Sequence, residues 1–298
     1  MANYLAKGSI FPTQLMPEMV QLVKGHSSLA QLSGQAPIAF NGNTEVTFSL
    51  DKEVDVVAEN GAKTVGGGTV VAKTITPVKI EYGLRVSDEF VYASDEVQLD
   101  YLRTFAEGFA RKLARGIDIM AMHGFNPRTK AASTVIGDNH FDKAVTNVVT
   151  EATGVTADAN MESAVALILA NDGDVNGAAI SPTMRSSLAS LTTTDGAKMY
   201  PELGWGAQPK TVNGLNVDFN STVSFNSSKD RAIVGDFANM FKWGYGKEIG
   251  IEVIQYGNPD NDTTLGDLKG HNQVYIRGEA YVGWAILDPT AFAIIKAA

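Results

Sequence analysis

The chain has 298 residues, enough for one large core or two modest ones, and its 44% hydrophobic content is ordinary for a protein that buries one. It contains no cysteine, which excludes a disulfide framework and a thiolate metal site and fits a reducing, cytosolic origin. A formal charge of -9 argues against a sequence-independent grip on phosphates, and neither an apolar run of ~18 residues nor a basic-then-apolar leader directs the chain to a membrane.

Residues 1–43 are polar and punctuated by Gly and Pro, with one short amphipathic piece from Pro17 to Lys24. Alone they bury too little surface to offset the cost of ordering. Two readings stand: a floppy terminus, or an arm that orders by lying on a neighbouring subunit. From Thr44 to Val57 the pattern has period two, with Val46, Phe48 and Leu50 on one side and Glu45, Thr47, Ser49 and Asp51 on the other. A polar, Gly-rich tip follows, including Glu59, Asn60, Gly61, Lys63, Gly66, Gly67 and Gly68. Alternation resumes over Val78, Ile80, Tyr82, Leu84 and Val86, so a long two-stranded hairpin is expected, with an edge or bend at Pro77. Two strands alone are marginal in water, so the ribbon must lie on something, and its length and tip favour a projecting arm.

Ser94 to Gly124 reads as one long helix. Leu99, Leu102, Ala106, Phe109, Leu113, Ile117 and Met120 recur at spacings of three and four and form one stripe, widened by Phe105 and Ile119. Ser94 is placed to cap the first N–H groups, Asp95 and Glu96 suit the positive end of the dipole, and Gly124 ahead of Asn126-Pro127 stops the helix. Glu107 precedes Arg111 by four residues, the spacing of a surface ion pair. At ~1.5 Å per residue the helix is about 43 Å long, the length of a spine.

A loop-rich stretch with a turn at Gly137-Asp138-Asn139 leads to an α/β unit from about Ala157: a helix over Met161 to Ala170, a buried strand at Ala178 to Ser181 and a helix from Pro182 to Leu191. Thr192 to Lys210 is too long and irregular for a connector and is expected to be a functional loop. Strands follow at Leu215–Phe219, Ala232–Gly235 and Ile249–Tyr256, then an acidic loop, Gly257 to Asn272, then an alternating strand from Val274 to Trp284. The two strands that flank the acidic loop suggest a hairpin beside the spine, and the chain closes on an apolar run from Ala291 to Ile295.

Motifs for catalysis or cofactors are absent. His26, His123, His140 and His271 have no second ligand at helical or hairpin spacing, so no metal site is expected. Gly61-Ala62-Lys63-Thr64 lacks the spacing and following helix of a phosphate loop. Asp260-x-Asp262-x-Thr264 begins like a calcium loop, but Leu265 replaces the turn glycine and His271 the distal Glu, which leaves a solvated acidic loop as the reading. No serine sits in a Gly-x-Ser-x-Gly context and no strand, Gly-rich turn and helix suggest a dinucleotide.

The order of parts resembles the major capsid protein of tailed bacteriophages, the Hong Kong 97 type of fold. Val78 to Ser94 (VKIEYGLRVSDEFVYAS) looks like that family's return from its extended loop into the spine. Ile233-Val234-Gly235-Asp236-Phe237 with Ile249-Gly250-Ile251-Glu252-Val253 resembles its late strands, and Asn272 through Arg277-Gly278-Glu279 to Trp284-Ala285-Ile286-Leu287-Asp288-Pro289 is similar to its closing segment. The resemblance implies an α+β fold divided into an N-arm (1–43), an extended hairpin or E-loop (44–86), a P-domain with the spine helix (87–156), an A-domain (157–248), closing P-domain strands (249–284) and a C-terminal segment (285–298). It implies a non-enzymatic shell protein that assembles with itself into hexamers and pentamers of an icosahedral phage head, formed in the host cytoplasm, enclosing DNA without sequence-specific binding and needing no cofactor. Portal and decoration proteins are expected partners, as is a separate scaffolding protein, because the sequence opens at Met1 on a short arm. An encapsulin-type compartment of the same fold and an α/β enzyme without a readable motif are the alternatives. Some members of the family join an extended-loop Lys to an Asn on a neighbour with the help of a Glu; the matching residues are Lys63, Asn272 and Glu279. Alternation puts Arg277 on the face of Glu279, where it would weaken that carboxylate as a base, so a shell held by non-covalent contacts is expected.

Overall fold

The computed structural model describes residues 21–23 and 26–298. Of the amphipathic piece expected at Pro17 to Lys24, Gln21 to Val23 are described and are helical; the rest lies outside the described residues. The strands form three sheets of two, three and six strands.

The spine is helix α3, Asp95–His123, 29 residues, preceded by the short helices α1 (Ser28–Leu32) and α2 (Glu89–Tyr92). It ends on Gly124 in the left-handed conformation at φ 69°, as the sequence signals. Leu102, Phe105, Ala106, Phe109, Leu113, Ile117, Ile119 and Met120 are all buried. Leu99 is not: it is 39% exposed, beside exposed Val97 and Tyr101, because the first turns of the spine run past the sheets. The Ser94 hydroxyl makes no capping bond; the Gln98 amide instead ties the preceding turn to the helix by donating to Val91 O and Ala93 O. Glu107 pairs one turn earlier than expected, with Arg103 at 3.8 Å, on the solvent face.

The expected hairpin is real but its return strand differs. Strand β1 (Asn43–Leu50) pairs antiparallel with β2 (Gly68–Ile75), Leu50 opposite Gly68 and Asn43 opposite Ile75. Strand β3 (Val78–Ser87), beyond Pro77, leaves the ribbon for the three-stranded sheet. Proline cannot continue a ladder, so the chain changes sheets there.

In that sheet the order is β3, β10 (Gln273–Ile286) and β9 (Phe241–Ile254), all antiparallel. Strand β9 starts eight residues before the expected Ile249, because Phe241 and Trp243 are needed to cover the core. The spine crosses β10 at Gly278, where a Cβ would meet the Phe109 ring at 2.9 Å, so this glycine lets helix and sheet approach. Residues 35–38 run along β9, with Ala36 N donating to Trp243 O at 2.8 Å, and a Cβ on Gly244 would collide with the Ala36 carbonyl.

The six-stranded sheet has the order β4 (Val148–Thr150), β11 (Phe292–Lys296), β8 (Asp230–Gly235), β5 (Gly177–Ile180), β7 (Leu215–Phe219) and β6 (Thr211–Val212). It draws its strands from both sides of the spine-to-sheet connection, since β4 precedes the α/β unit and β11 ends the chain. Helices α5 (Ala157–Leu169) and α6 (Pro182–Ser190) pack on it; α5 starts four residues before the expected Met161, and α6 starts at Pro182 as expected. Helix α4 (Phe141–Ala144) and α7 (Phe237–Met240) bring Phe141 and Phe237 onto Phe292, with ring centroids 5.0 and 5.2 Å apart, so an aromatic cluster joins the two larger sheets. The two buried tryptophans, Trp243 and Trp284, belong to the same core.

Candidate functional site

The candidate functional surfaces are those left uncovered among the described residues, together with the clamps that hold them. The ribbon is the first. Val46, Phe48 and Leu50 of β1 are 60%, 63% and 70% exposed, and Val70 and Val71 of β2 are also exposed. Among the described residues the base is covered, where Ile75 packs with Ile38 and Ala285. At the far end Asp51 accepts from Gly67 N at 2.7 Å and Lys52 donates to Val65 O at 3.3 Å, which closes the tip loop on itself. Asn60 takes the left-handed conformation at φ 64° and Gly61 N donates back to Ala58 O, a turn that holds Glu59 and Lys63 in solvent. A Cβ at Gly67 would press on the Asp51 carboxylate at 2.9 Å, so part of the glycine run serves this closure; Gly66 and Gly68 flank it.

The second surface is the outer face of β10. Glu279 accepts an ion pair from Lys79 at 2.9 Å and lies 3.6 Å from Arg277, which in turn reaches Glu252 at 2.8 Å. The Lys79 hydrogen bond, opposed by partial desolvation and helped by the Lys79 and Arg277 charges, holds the Glu279 carboxyl below the usual range. A carboxylate so held is a poor base. Arg277 acts as the sequence suggests, while Lys79, opposite Tyr281 on β3, is the stronger partner and was hidden by its distance along the chain. Asn272 sits at φ 53° just before β10, with its carbonyl accepting from Asp88 N at 2.9 Å. Asn272 thus lies immediately before the strand that carries Glu279, and Lys63 stands on the ribbon tip.

The acidic loop is not simply solvated. Arg85 donates to both oxygens of Asp260, at 2.6 and 2.9 Å, to Asn258 at 2.8 Å and to Gly266 O at 2.9 Å. The guanidinium thus occupies the place a cation would take, and it pulls Asp260 down to about 2. Asp262 turns inward to accept from Thr264 N and Leu265 N.

Two buried clamps were invisible to spacing rules. Asp118, wholly buried in the spine, accepts from Ser27 Oγ (2.6 Å), Ser28 N (2.9 Å), Leu29 N (3.2 Å), Thr222 Oγ1 (3.1 Å) and Asn220 Nδ2 (3.3 Å). It fastens the N-terminal segment and the β7–β8 connection to the spine. Burial pushes its carboxyl up to about 6, although the five donors pull the other way. One turn past Asp118, His123 Nδ1 lies 2.7 Å from Asp142 and 3.4 Å from Asp230, and its Nε2 lies 2.9 Å from Thr222 O. Burial opposes charge on His123, but the Asp142 hydrogen bond and charge outweigh it and raise the imidazole; burial and the neighbouring Asp142 push Asp230 up to about 6. Ligand atoms of His123, Asp142 and Asp230 lie within 4.8 Å of one another, a spacing that could hold a cation. Lys296 closes the cluster, at 3.4 Å from Asp230 and 3.9 Å from Asp142, and its ammonium already supplies the positive charge. The sequence signal that could have found Asp118 is an acid set between apolar neighbours, Ile117 and Ile119, in the apolar last turns of the helix.

The sequence from residue 7 to residue 297 matches the model of the phage capsid family. This chain belongs to the phage capsid family. A solved chain from Mycobacterium phage Ogopogo is 31% identical over 92% of each chain with a TM-score of 0.78, and one from Gordonia phage Cozz is 25% identical over 91% of this chain and 87% of that one, TM-score 0.75. A chain from the capsid of an empty GTA particle, 15% identical over 92% of this chain and 90% of that one, has a TM-score of 0.64 and shares the fold. None of the curated proteins matches this chain significantly. The fold is therefore of the Hong Kong 97 type, and the chain is a structural subunit of a capsid shell that assembles with copies of itself. In this capsid protein the ribbon leaves an apolar face exposed, a feature characteristic of contact surfaces. Among the described residues no helix is long and apolar enough to cross a membrane.

Proposed function

We propose that the subunit builds the icosahedral head of a tailed phage as hexamers and pentamers, around double-stranded DNA that it encloses without base-specific contacts. The observation that carries this is the ribbon β1–β2, whose apolar face has no cover among the described residues. On this reading residues 1–43 are the N-arm, 44–86 the E-loop, 87–156 and 249–284 the P-domain, 157–248 the A-domain and 285–298 a closing segment. The tip residues Glu59, Asn60, Gly61, Lys63, Gly66, Gly67 and Gly68 contact a neighbouring subunit. The net charge of -9 keeps the wall from trapping packaged DNA. Assembly takes place in the host cytoplasm, with a separate scaffold, a portal and a decoration protein as partners, and requires no catalysis by this chain.

The shell is held by non-covalent contacts. Glu279, paired to Lys79 and Arg277, is unsuited to take a proton from Lys63 for attack on Asn272. Electron microscopy of the purified protein tests the main reading: shells of phage-head size are expected, a small cargo-filled shell would point to an encapsulin-type compartment, and no particle at all would overturn a shell function.

A further inference from the structure

The chain has three tryptophans, and they divide sharply. Trp243 and Trp284 are 0% and 1% exposed; Trp205 is fully exposed. It sits in the irregular loop between α6 and β6, on a built pedestal. Pro201–Leu203 form a 3-10 turn with Leu203 buried, and Ala207 N donates to Gly204 O at 3.0 Å across a turn with Gly206 at φ +83°. Trp205 is the first central residue of that turn, where the backbone points its side chain outward. Arg185, stacked 5.2 Å from the Phe219 ring, donates to Ala207 O and pins the loop to the domain. A rigid indole held in water has the form of an interface anchor.

The same domain carries a matching cavity of about 490 Å³. Its walls are Met161, Val165 and Leu169 of α5, Val212 and Leu215 across from them, and Tyr200. Its size lies in the usual range of pockets of ~300–1,000 Å³ that hold one ring system. At its edge Asp158 has a carboxylate oxygen that is buried and has no hydrogen-bond partner. An indole offers one N–H donor and no acceptor, which is the complement such an oxygen lacks.

We propose that Trp205 of one subunit inserts into this cavity of the adjacent copy, with Nε1–H donating to Asp158. The occupant is a second copy: this capsid chain assembles with copies of itself, each copy carries both the exposed indole and the cavity, and Trp205 is not among the residues that line the cavity of its own chain. Indole and cavity form a head-to-tail contact that closes into a ring when repeated. The inference rests on the shell function and adds to it a contact between α/β domains, independent of the ribbon.

The absence of cysteine makes the test direct. Acrylamide quenching of the unmodified chain, with Trp205→Phe subtracted, reads Trp205 alone, since the other two tryptophans are buried. On going from free subunits to purified shells its quenching constant should fall several-fold. Shells of the double variant Ala207→Cys/Ala166→Cys, which keeps the indole, should yield covalent dimers and higher multimers on oxidation with diamide, and either single variant should yield none. Ala166 is chosen because it is exposed and lines the cavity. Trp205 as quenchable in shells as in free subunits would overturn the proposal. So would protection of Trp205 without multimers from the double variant, since another surface would then cover it. Absence of any particle from the unmodified chain would instead count against the shell function itself.

Discussion

Strands β1 and β10 carry the same alternating pattern and meet opposite fates. In β10 Val274, Ile276, Ala280 and Val282 are 0% exposed, while in β1 Val46, Phe48 and Leu50 are 60–70% exposed. Strand β10 is central in its sheet and has the spine across its apolar face. Among the described residues strand β1 has one partner and no layer behind it. An alternating pattern therefore specifies that a face needs cover, and the topology decides whether the cover comes from the same chain. On the proposed function this division separates folding from assembly, and substitutions on the two strands should separate in the same way.

The largest effect is expected from Phe109→Asp, which puts an unpaired charge between spine and β10. The cost of several kcal/mol is comparable with a total stability of ~5–15 kcal/mol, so the subunit should not fold, and circular dichroism of the expressed protein reads this. A folded soluble subunit would break the comparison. Next is Asp118→Ala, which leaves the buried N–H groups of Ser28 and Leu29 without acceptors. A loss of about 2–4 kcal/mol is expected in urea unfolding, with faster proteolysis of the segment before residue 33.

The third expectation is a pH dependence. Asp118 keeps its proton in the fold up to about 6, against an ordinary carboxylate value of 3.8, so the native state binds more protons between these limits. Stability from this group therefore falls as pH rises from about 4 to about 6, by about 3 kcal/mol in all. Asp230, raised to about 6, has the same sign, and raised His123 contributes stability that is present below its ordinary 6.5 and is lost as pH rises through its folded value. The subunit should unfold at higher urea at pH 5 than at pH 7.5, and Asp118→Asn should flatten the difference. Below pH 4 the trend should reverse as Asp142, Asp260 and Glu279, whose values are lowered, lose their charge.

Deleting Asn60 to Gly68 should move subunit stability by no more than about 0.5 kcal/mol, yet abolish or weaken shells in electron microscopy. Normal shells of normal heat stability from that deletion would show that the tip has no partner. The smallest effect is Lys63→Ala. Denatured mature particles should run as a single band near 31.7 kDa with or without the substitution, and a covalent ladder that vanishes in the variant would overturn the non-covalent reading.

The spine, the α/β unit and the strands on either side of the acidic loop were legible because periodicity and stop signals are local. The bounds of α3 and its glycine stop follow from residues within one turn of each end. The return strand of the ribbon was not legible: Gly68–Ile75 begins on the last of three glycines, and the clearer alternation of β3 takes its place as the partner of β1. The functional surfaces were half legible. The tip and Arg277 could be named, but Lys79 beside Glu279, Arg85 inside the acidic loop and the Asp118 clamp join residues 200, 175 and 91 positions apart.

The sequence by itself determined which faces are apolar, where the spine begins and ends, and the order of parts that marks the family, because these depend on residues a turn or a strand apart. Only the tertiary structure decided which apolar faces stay uncovered, which charges find partners, and that Trp205 stands in solvent while Trp243 and Trp284 do not. The physical reason is that burial and charge pairing are properties of a neighbourhood in space. A strand of given pattern buries its face when another layer of the same chain reaches it, and in this protein the ribbon lies beyond that reach.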